Sequence, residues 1–238
     1  MLARRPRPVA GRYVLLEEIG RGATATVHRA RDLRTRQYVA AKVLRRADPA
    51  ALAAFAHEQG HRIDHPHVLA PLGWAAEDDV ALIAMELVRG GSVRDLVARR
   101  GRLPEGLVAL LLGQLLDGLV AVHELGVVHG DVKPGNLLVR DAAVPHLLLA
   151  DFGVAGRSGR PAPVSGTPSY LAPERLGGAP PDPSQDVYAA GLVARRLLAG
   201  ASPLVTLCDS MTRAEPDRRP TAAAARHRLR ELPVSGWR

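Results

Sequence analysis

Lysine is nearly missing from this chain of 238 residues: of 32 basic residues only Lys42 and Lys133 are lysine, and asparagine occurs once, at Asn136. Cysteine also occurs once, at Cys208, which excludes an internal disulfide and fits a reducing compartment, so a cytoplasmic location is expected. Aromatic residues amount to 3%, too few for a platform on which bases could stack. The arginines behind the net charge of +8 are dispersed rather than clustered, so nucleic-acid binding is not expected. There is no run of eighteen or more uncharged apolar residues, so no membrane span is expected. Met1-Leu2-Ala3-Arg4-Arg5-Pro6-Arg7-Pro8 lacks the apolar segment of a secretory signal. Apolar residues make up 47% of a chain long enough to bury a sizeable core, as one large domain or two small lobes.

Against this background, Lys and Asn stand where a point charge and a neutral oxygen donor have a chemical use. Two of the three fall in Val128-His129-Gly130-Asp131-Val132-Lys133-Pro134-Gly135-Asn136-Leu137-Leu138, and Asp151-Phe152-Gly153 follows twenty residues after Asp131. Asp131 supplies a carboxylate to orient a hydroxyl, while Asn136 and Asp151 offer the hard oxygen ligands that magnesium prefers alongside phosphates. Lys133 lies where it can offset charge developing on a transferred phosphoryl group. These residues resemble the catalytic loop and metal-binding turn of eukaryotic-like protein kinases of the bacterial type. Lys133-Pro134 resembles the serine/threonine class rather than the tyrosine class.

The resemblance extends over roughly residues 12 to 232. Gly20 and Gly22 in Ile19-Gly20-Arg21-Gly22-Ala23-Thr24-Ala25-Thr26-Val27 let the backbone turn tightly and approach phosphates, although a lone Gly-x-Gly is a weak signal in itself. Fifteen residues after Val27 comes Lys42, preceded by Ala40-Ala41. This is similar to the kinase glycine-rich loop and its strand lysine, with Ala25 in place of the third glycine. Residues 49 to 63 read as a helix containing Phe55-Ala56-His57-Glu58-Gln59-Gly60-His61. His-Glu-x-x-His at helical spacing is also a zinc-metalloprotease signature, with Glu58 as base, but Gly60 weakens the helix and no third ligand is marked. The kinase resemblance instead pairs Glu58 with Lys42 and leaves His57 and His61 at the surface. Glu58 stands seven residues before His65-Pro66, about two fewer than is usual in the family.

Further along, Asp78-Asp79 reads as a hairpin turn. The apolar run ending Met85-Glu86-Leu87-Val88 resembles the strand entering the kinase hinge, which makes Met85 the gatekeeper and assigns the backbone of Glu86 and Val88 to the adenine edge. Ser92 caps a helix, and residues 104 to 125 form a long helix, apolar nearly all round, as a buried scaffold would be. Gly130 stands where most such kinases carry the arginine that pairs with a phosphorylated activation segment. This implies activity independent of that pair, and the His-Gly-Asp form is also similar to small-molecule phosphotransferases. Ser165-Gly166-Thr167-Pro168-Ser169-Tyr170-Leu171-Ala172-Pro173-Glu174 matches the elements that shape a polypeptide groove. It puts Thr167 near Asp131 and Lys133, and pairs Glu174 with Arg219. Asp186 is expected to brace the catalytic-loop backbone. Only about ten residues separate Gly200 from Met211, where the family commonly adds a helix and longer loops.

The resemblance implies an α+β, two-lobed protein-kinase-like fold: a basic, disordered tail over residues 1–11, a small, mainly β N-lobe over 12–88, and a larger, mainly α C-lobe over 89–238 that is shortened. It also implies ATP-dependent phosphorylation of Ser/Thr hydroxyls in proteins, itself included. Ile19, Gly20, Gly22, Val27, Ala40, Lys42, Glu86, Val88 and Leu138 contact the nucleotide, and Asn136 and Asp151 hold Mg2+. Asp131, Lys133 and Glu58 complete the catalytic set. A small-molecule phosphotransferase and a nucleotide-binding pseudokinase module are the alternatives.

Overall fold

A computed structural model describes residues 7–22, 25–44, 63–77, 80–140 and 145–234. The chain divides into two compact units, residues 1–62 with 69–88 and residues 63–68 with 89–238.

The first unit is a five-stranded antiparallel sheet of β1 (Tyr13–Arg21), β2 (Ala25–Asp32), β3 (Gln37–Leu44), β4 (Pro71–Glu77) and β5 (Val80–Glu86), in the order β1-β2-β3-β5-β4. Because side chains alternate across a strand, Val39, Ala41, Val43, Leu82 and Ala84 share one side. There they pack with Tyr13 and Ala30 into a core. The other side carries Lys42 with Leu44, Ala81, Ile83 and Met85, a smaller apolar cluster. β1 runs unbroken through bulges near Glu18. Val9, within the disordered tail expected over residues 1–11, is buried, forms a bridge with Tyr13, and joins the sheet core. Arg12 then clamps Asp32 through Nε at 3.0 Å and Nη2 at 2.7 Å. That bidentate pair holds the Asp32 carboxyl down at about 2.

Residues 63–68 belong with the second unit rather than the first because they are tied to β8 (Leu147–Leu149). Leu149 N donates to His67 O, and the His67 ring Nδ1 lies 2.9 Å from Leu147 O. Helix α1 (Val93–Arg100) opens with a capping box: Ser92 Oγ accepts from Asp95 N while Asp95 Oδ2 accepts from Ser92 N at 2.9 Å. The long helix α2 (Glu105–Glu124) buries Val108, Leu111, Leu115, Leu116, Leu119 and Val122. Each such leucine removed from water contributes roughly 1.5–3 kcal/mol. By length and composition α2 could cross a membrane, but 56% of its most apolar window is buried inside the protein, as a scaffold helix requires.

Helices α3 (Pro173–Leu176), α4 (Pro183–Leu197), α5 (Leu204–Met211) and α6 (Ala222–Glu231) complete the unit. One helix, α5, fills the short stretch after Gly200. It packs closely on α4 at Gly191, where an added Cβ would stand 2.8 Å from Met211 Cβ. The helix expected over 49 to 63, with Glu58, His57 and His61, lies outside the described residues apart from Ile63, and so does the Asp78-Asp79 turn.

Candidate active site

The loop after β6 (Val127–Val128) is fixed from below by one buried carboxylate. Asp186, 1% exposed in the first turn of α4, accepts His129 N at 2.8 Å, Gly130 N at 2.9 Å and His123 Nε2 at 2.9 Å. Burial alone would push this carboxyl up, but the hydrogen bond from His123 and the Gly130 N–H help outweigh it and hold it below the ordinary value. His129, fully buried, accepts Asp131 N at Nδ1 (3.2 Å), so Nε2 carries the proton toward Ala150 O at 3.1 Å. Its ring meets Phe152 edge-on at 4.7 Å. Gly130 has φ +77°, which a residue without Cβ adopts at no steric cost.

These contacts aim Asp131. Its Oδ2 accepts Lys133 Nζ at 2.5 Å and Asn136 Nδ2 at 3.0 Å, while its Oδ1 accepts Thr167 Oγ1 at 2.8 Å and Thr167 N at 2.9 Å. Lys133 Nζ also donates to Thr167 Oγ1 at 2.8 Å. With Asn136 Nδ2 donating to Asp131 O as well, at 2.9 Å, the amide's Oδ1 is the end that can serve a hard cation. Asp151 emerges beside it: β7 (Leu137–Val139) pairs with β8, and Ala150 N donates to Asn136 O at 2.9 Å, one residue before Asp151. Asp151 itself has φ +70°, a region in which Asp is several-fold enriched over other non-Gly residues. Leu138 pairs with Leu148 and bridges to Ser92.

The stretch from Gly166 onward closes over this group. Gly166 has φ +105°, and a Cβ there would stand 2.5 Å from Gly130 O, so Thr167 can reach Asp131 only from a glycine. Glu174 and Arg219 form a bidentate pair at 2.7 and 2.9 Å, with the Arg219 side chain fully buried.

In the sheet unit the cross-strand partners Gly20↔Val27, Val27↔Lys42 and Lys42↔Ile83 form one row, and directly opposed residues share a face. Ala40, opposite Met85, lies on the same face. Gly22 N donates to Ala25 O at 2.8 Å, while Ile19 remains 49% exposed. Glu86 ends β5 opposite Val39, two residues before Val88.

A family profile described as the protein kinase domain matches residues 13–212. The chain belongs to the protein kinase family. Serine/threonine-protein kinase PkaA of Streptomyces coelicolor is 34% identical over 219 residues, covering 83% of this chain and 40% of that protein. Serine/threonine-protein kinase PknL of Mycobacterium tuberculosis is 34% identical over 202 residues, 81% of this chain and 50% of that protein. PkaB of Streptomyces coelicolor is 37% identical over 215 residues, 83% of this chain and 51% of that protein. The chain thus spans about half the length of the curated relatives it matches. The five-stranded sheet unit and the helical unit are the α+β lobes of this kinase domain.

Within the helical unit of the kinase, Asp131, Lys133, Asn136 and Thr167 are in direct contact, and Asp186 braces the loop as its position predicted. Lys42, Gly20, Gly22, Val27 and Ala40 belong to the sheet unit, and Glu58 lies outside the described residues. One contributor carried no sequence signal: His123, the third donor to Asp186, sits in no motif. The oxygen donors of Asn136 and Asp151 suit Mg2+, being hard and few, as a cation also bound to phosphates requires.

Proposed function

We propose that this kinase domain transfers the terminal phosphoryl group of ATP to Ser/Thr hydroxyls of protein substrates, its own chain included. The observation that carries the reading is the Asp131 carboxylate, held between Lys133, Asn136 and Thr167 on a loop fixed by Asp186. In this reading Asp131 orients the acceptor hydroxyl and takes its proton, a role worth roughly 10²- to 10⁴-fold in rate. Lys133 offsets charge at the phosphoryl oxygens, which is where positioning and electrostatics supply most of the catalysis. Ile19, Gly20, Gly22, Val27, Ala40, Leu138 and the backbone of Glu86 and Val88 bind the nucleotide. Lys42 contacts its phosphates, and Glu58 orients Lys42.

Asn136 and Asp151 are the residues to hold Mg2+, which when bound neutralises phosphate charge. Support for a polypeptide acceptor comes from the Gly166–Thr167 closure on Asp131 and the buried Glu174–Arg219 pair behind it, together with the names of the relatives. The need for ATP argues for a cytoplasmic location of this domain.

The test offers radiolabelled ATP to the enzyme alone, to a generic basic protein and to small hydroxylated metabolites, with mass-spectrometric mapping of labelled sites. Label on Ser and Thr of protein, lost in Asp131→Asn and Asp151→Asn while melting temperature is held, is the expected result. Label confined to metabolites, or undiminished in Asp151→Asn, refutes the reading. Nucleotide binding without any transfer would mark a binding module instead.

A further inference from the structure

We infer that Arg175 is a positioning residue that holds the activation segment in its peptide-receiving form without phosphorylation; this rests on the protein-kinase reading above. The segment from Gly156 to Thr167 is secured at both ends. β9 (Gly156–Arg157) pairs with β6, and Thr167 binds Asp131. Between them, residues 161–165 have no regular secondary structure, and Pro161 and Pro163 bring no N–H with which to form a ladder. Residues 161, 163 and 164 are exposed and water can meet their carbonyls, so only a donor fixed in the fold can hold the stretch in one place.

Arg175 supplies them. It is 5% exposed, and its Nη1 donates to Ala162 O at 3.3 Å and Ala179 O at 2.6 Å, while Nη2 donates to Pro163 O. Among the described residues its polar contacts are all backbone carbonyls, two on the segment and a single one on the loop after α3. That loop is braced in turn: Gly159 N donates to Pro181 O at 2.9 Å and Gln185 Nε2 to Pro180 O at 2.8 Å. A buried guanidinium whose hydrogen bonds all go to these carbonyls is costly to strand, so the segment cannot swing away without exposing it or leaving it unpaired.

The same geometry leaves a phosphate little to do. Gly130, next to Asp131, presents no side chain, and Arg175, the buried cation in contact with the segment, already commits three of its five donors to carbonyls. Ser158 is exposed beside Arg157 and Arg160, which are exposed as well, so a phosphate there gains only a screened surface pair. Order in the segment is therefore set by the fold.

Two measurements test this. Protein co-expressed with a phosphatase and shown by mass spectrometry to carry no phosphate is assayed on a Ser/Thr peptide; kcat/KM within about 2-fold of the phosphorylated form is expected. Arg175→Met is expected to raise the peptide KM at least 10-fold with the ATP KM unchanged, and Arg175→Lys, which keeps one or two of the donors, to fall between. Amide hydrogen exchange over residues 158–166, read without turnover, is expected to lose protection in Arg175→Met while α2 keeps its own, separating local release from misfolding. An inactive unphosphorylated enzyme that gains activity on phosphorylation overturns the inference, as does unchanged segment protection in Arg175→Met. Absence of peptide transfer by the wild-type protein overturns the kinase reading instead, and the exchange result still decides whether Arg175 orders the segment.

Discussion

Replacing Asp186 by Asn keeps the side chain's shape and removes one acceptor and the charge. Oδ2 now serves two donors, His129 N and His123 Nε2, and Oδ1 serves Gly130 N. In the better amide orientation the remaining oxygen keeps the first two, and the new NH2 confronts the Gly130 N–H. Losing one charge-assisted bond costs about 1.5–3 kcal/mol, and weakening two others from charged to neutral adds about 1 kcal/mol. The total of about 2.5–4 kcal/mol is a large part of the 5–15 kcal/mol that stabilises an ordinary domain. Because Gly130 precedes Asp131, the loop shift that relieves the N–H clash moves the catalytic carboxylate, and a displacement near 1 Å costs on the order of 10²-fold in rate.

Urea denaturation and steady-state peptide phosphorylation of Asp186→Asn should show both losses, with the ATP KM little changed. The folded-state carboxyl titrates below its ordinary value of 3.8, so its stabilisation is fully present above that pH and is lost as pH falls through the lower folded value. The mutant's deficit should be constant from pH 5 to 8 and shrink below pH 4. Wild-type stability and kcat in Asp186→Asn would refute the assignment of Asp186 as the brace of the loop.

Asp32→Asn should destabilise the sheet unit by at most about 2.5 kcal/mol at neutral pH, since a shift from 3.8 to about 2 is worth 1.36 kcal/mol per unit; denaturation at several pH values should show the difference fading between pH 4 and 2. Gly166→Ala places a Cβ 2.5 Å from Gly130 O at φ +105°, and peptide phosphorylation should fall at least 10-fold with a stability loss of about 1–3 kcal/mol, read by kinetics and thermal melting. Cys208 is fully buried, and burial first, then the nearby Asp209 charge, pushes its thiol to about 12; iodoacetamide at pH 8 should leave it unmodified in the native protein and alkylate it in urea.

Much of the site could be read from the sequence because it is built from residue types the composition otherwise avoids or from fixed spacings. Asp131, Lys133 and Asn136 touch as their order implied, and Glu174 meets Arg219 across 45 positions of chain. Arg175 could not be read this way: its identity is uninformative among so many arginines, and its role comes from carbonyls brought to it by distant turns. The attachment of residues 63–68 to the helical unit was hidden for a similar reason. His67 and Val68 find their partners at Leu147 and Leu149, some eighty residues away, so no local pattern marks them. Val9 packs into the sheet core from a stretch whose prolines and arginines read as tail.

The division of labour between arginine and lysine follows the geometry each site needs. Arg219 spends all five guanidinium donors: Nε on Arg213 O, Nη1 on Glu174 Oε1 and Ser184 O, Nη2 on Glu174 Oε2 and Ala214 O. A lysine has three donors and no fork, so Arg219→Lys leaves at least two buried acceptors unmet and should cost about 2–5 kcal/mol of stability, read by denaturation. At Lys133 the demand is the reverse. One ammonium sits 2.5 Å from Asp131 Oδ2 and 2.8 Å from Thr167 Oγ1, a point contact that a planar guanidinium reaches only by pushing the two apart. Lys133→Arg should therefore fold with near-wild-type stability and lose at least 10-fold in kcat for peptide. If both swaps behaved alike, whether both harmless or both merely destabilising, charge alone would suffice at each site, and the retention of just two lysines in so arginine-rich a chain would have no chemical reason.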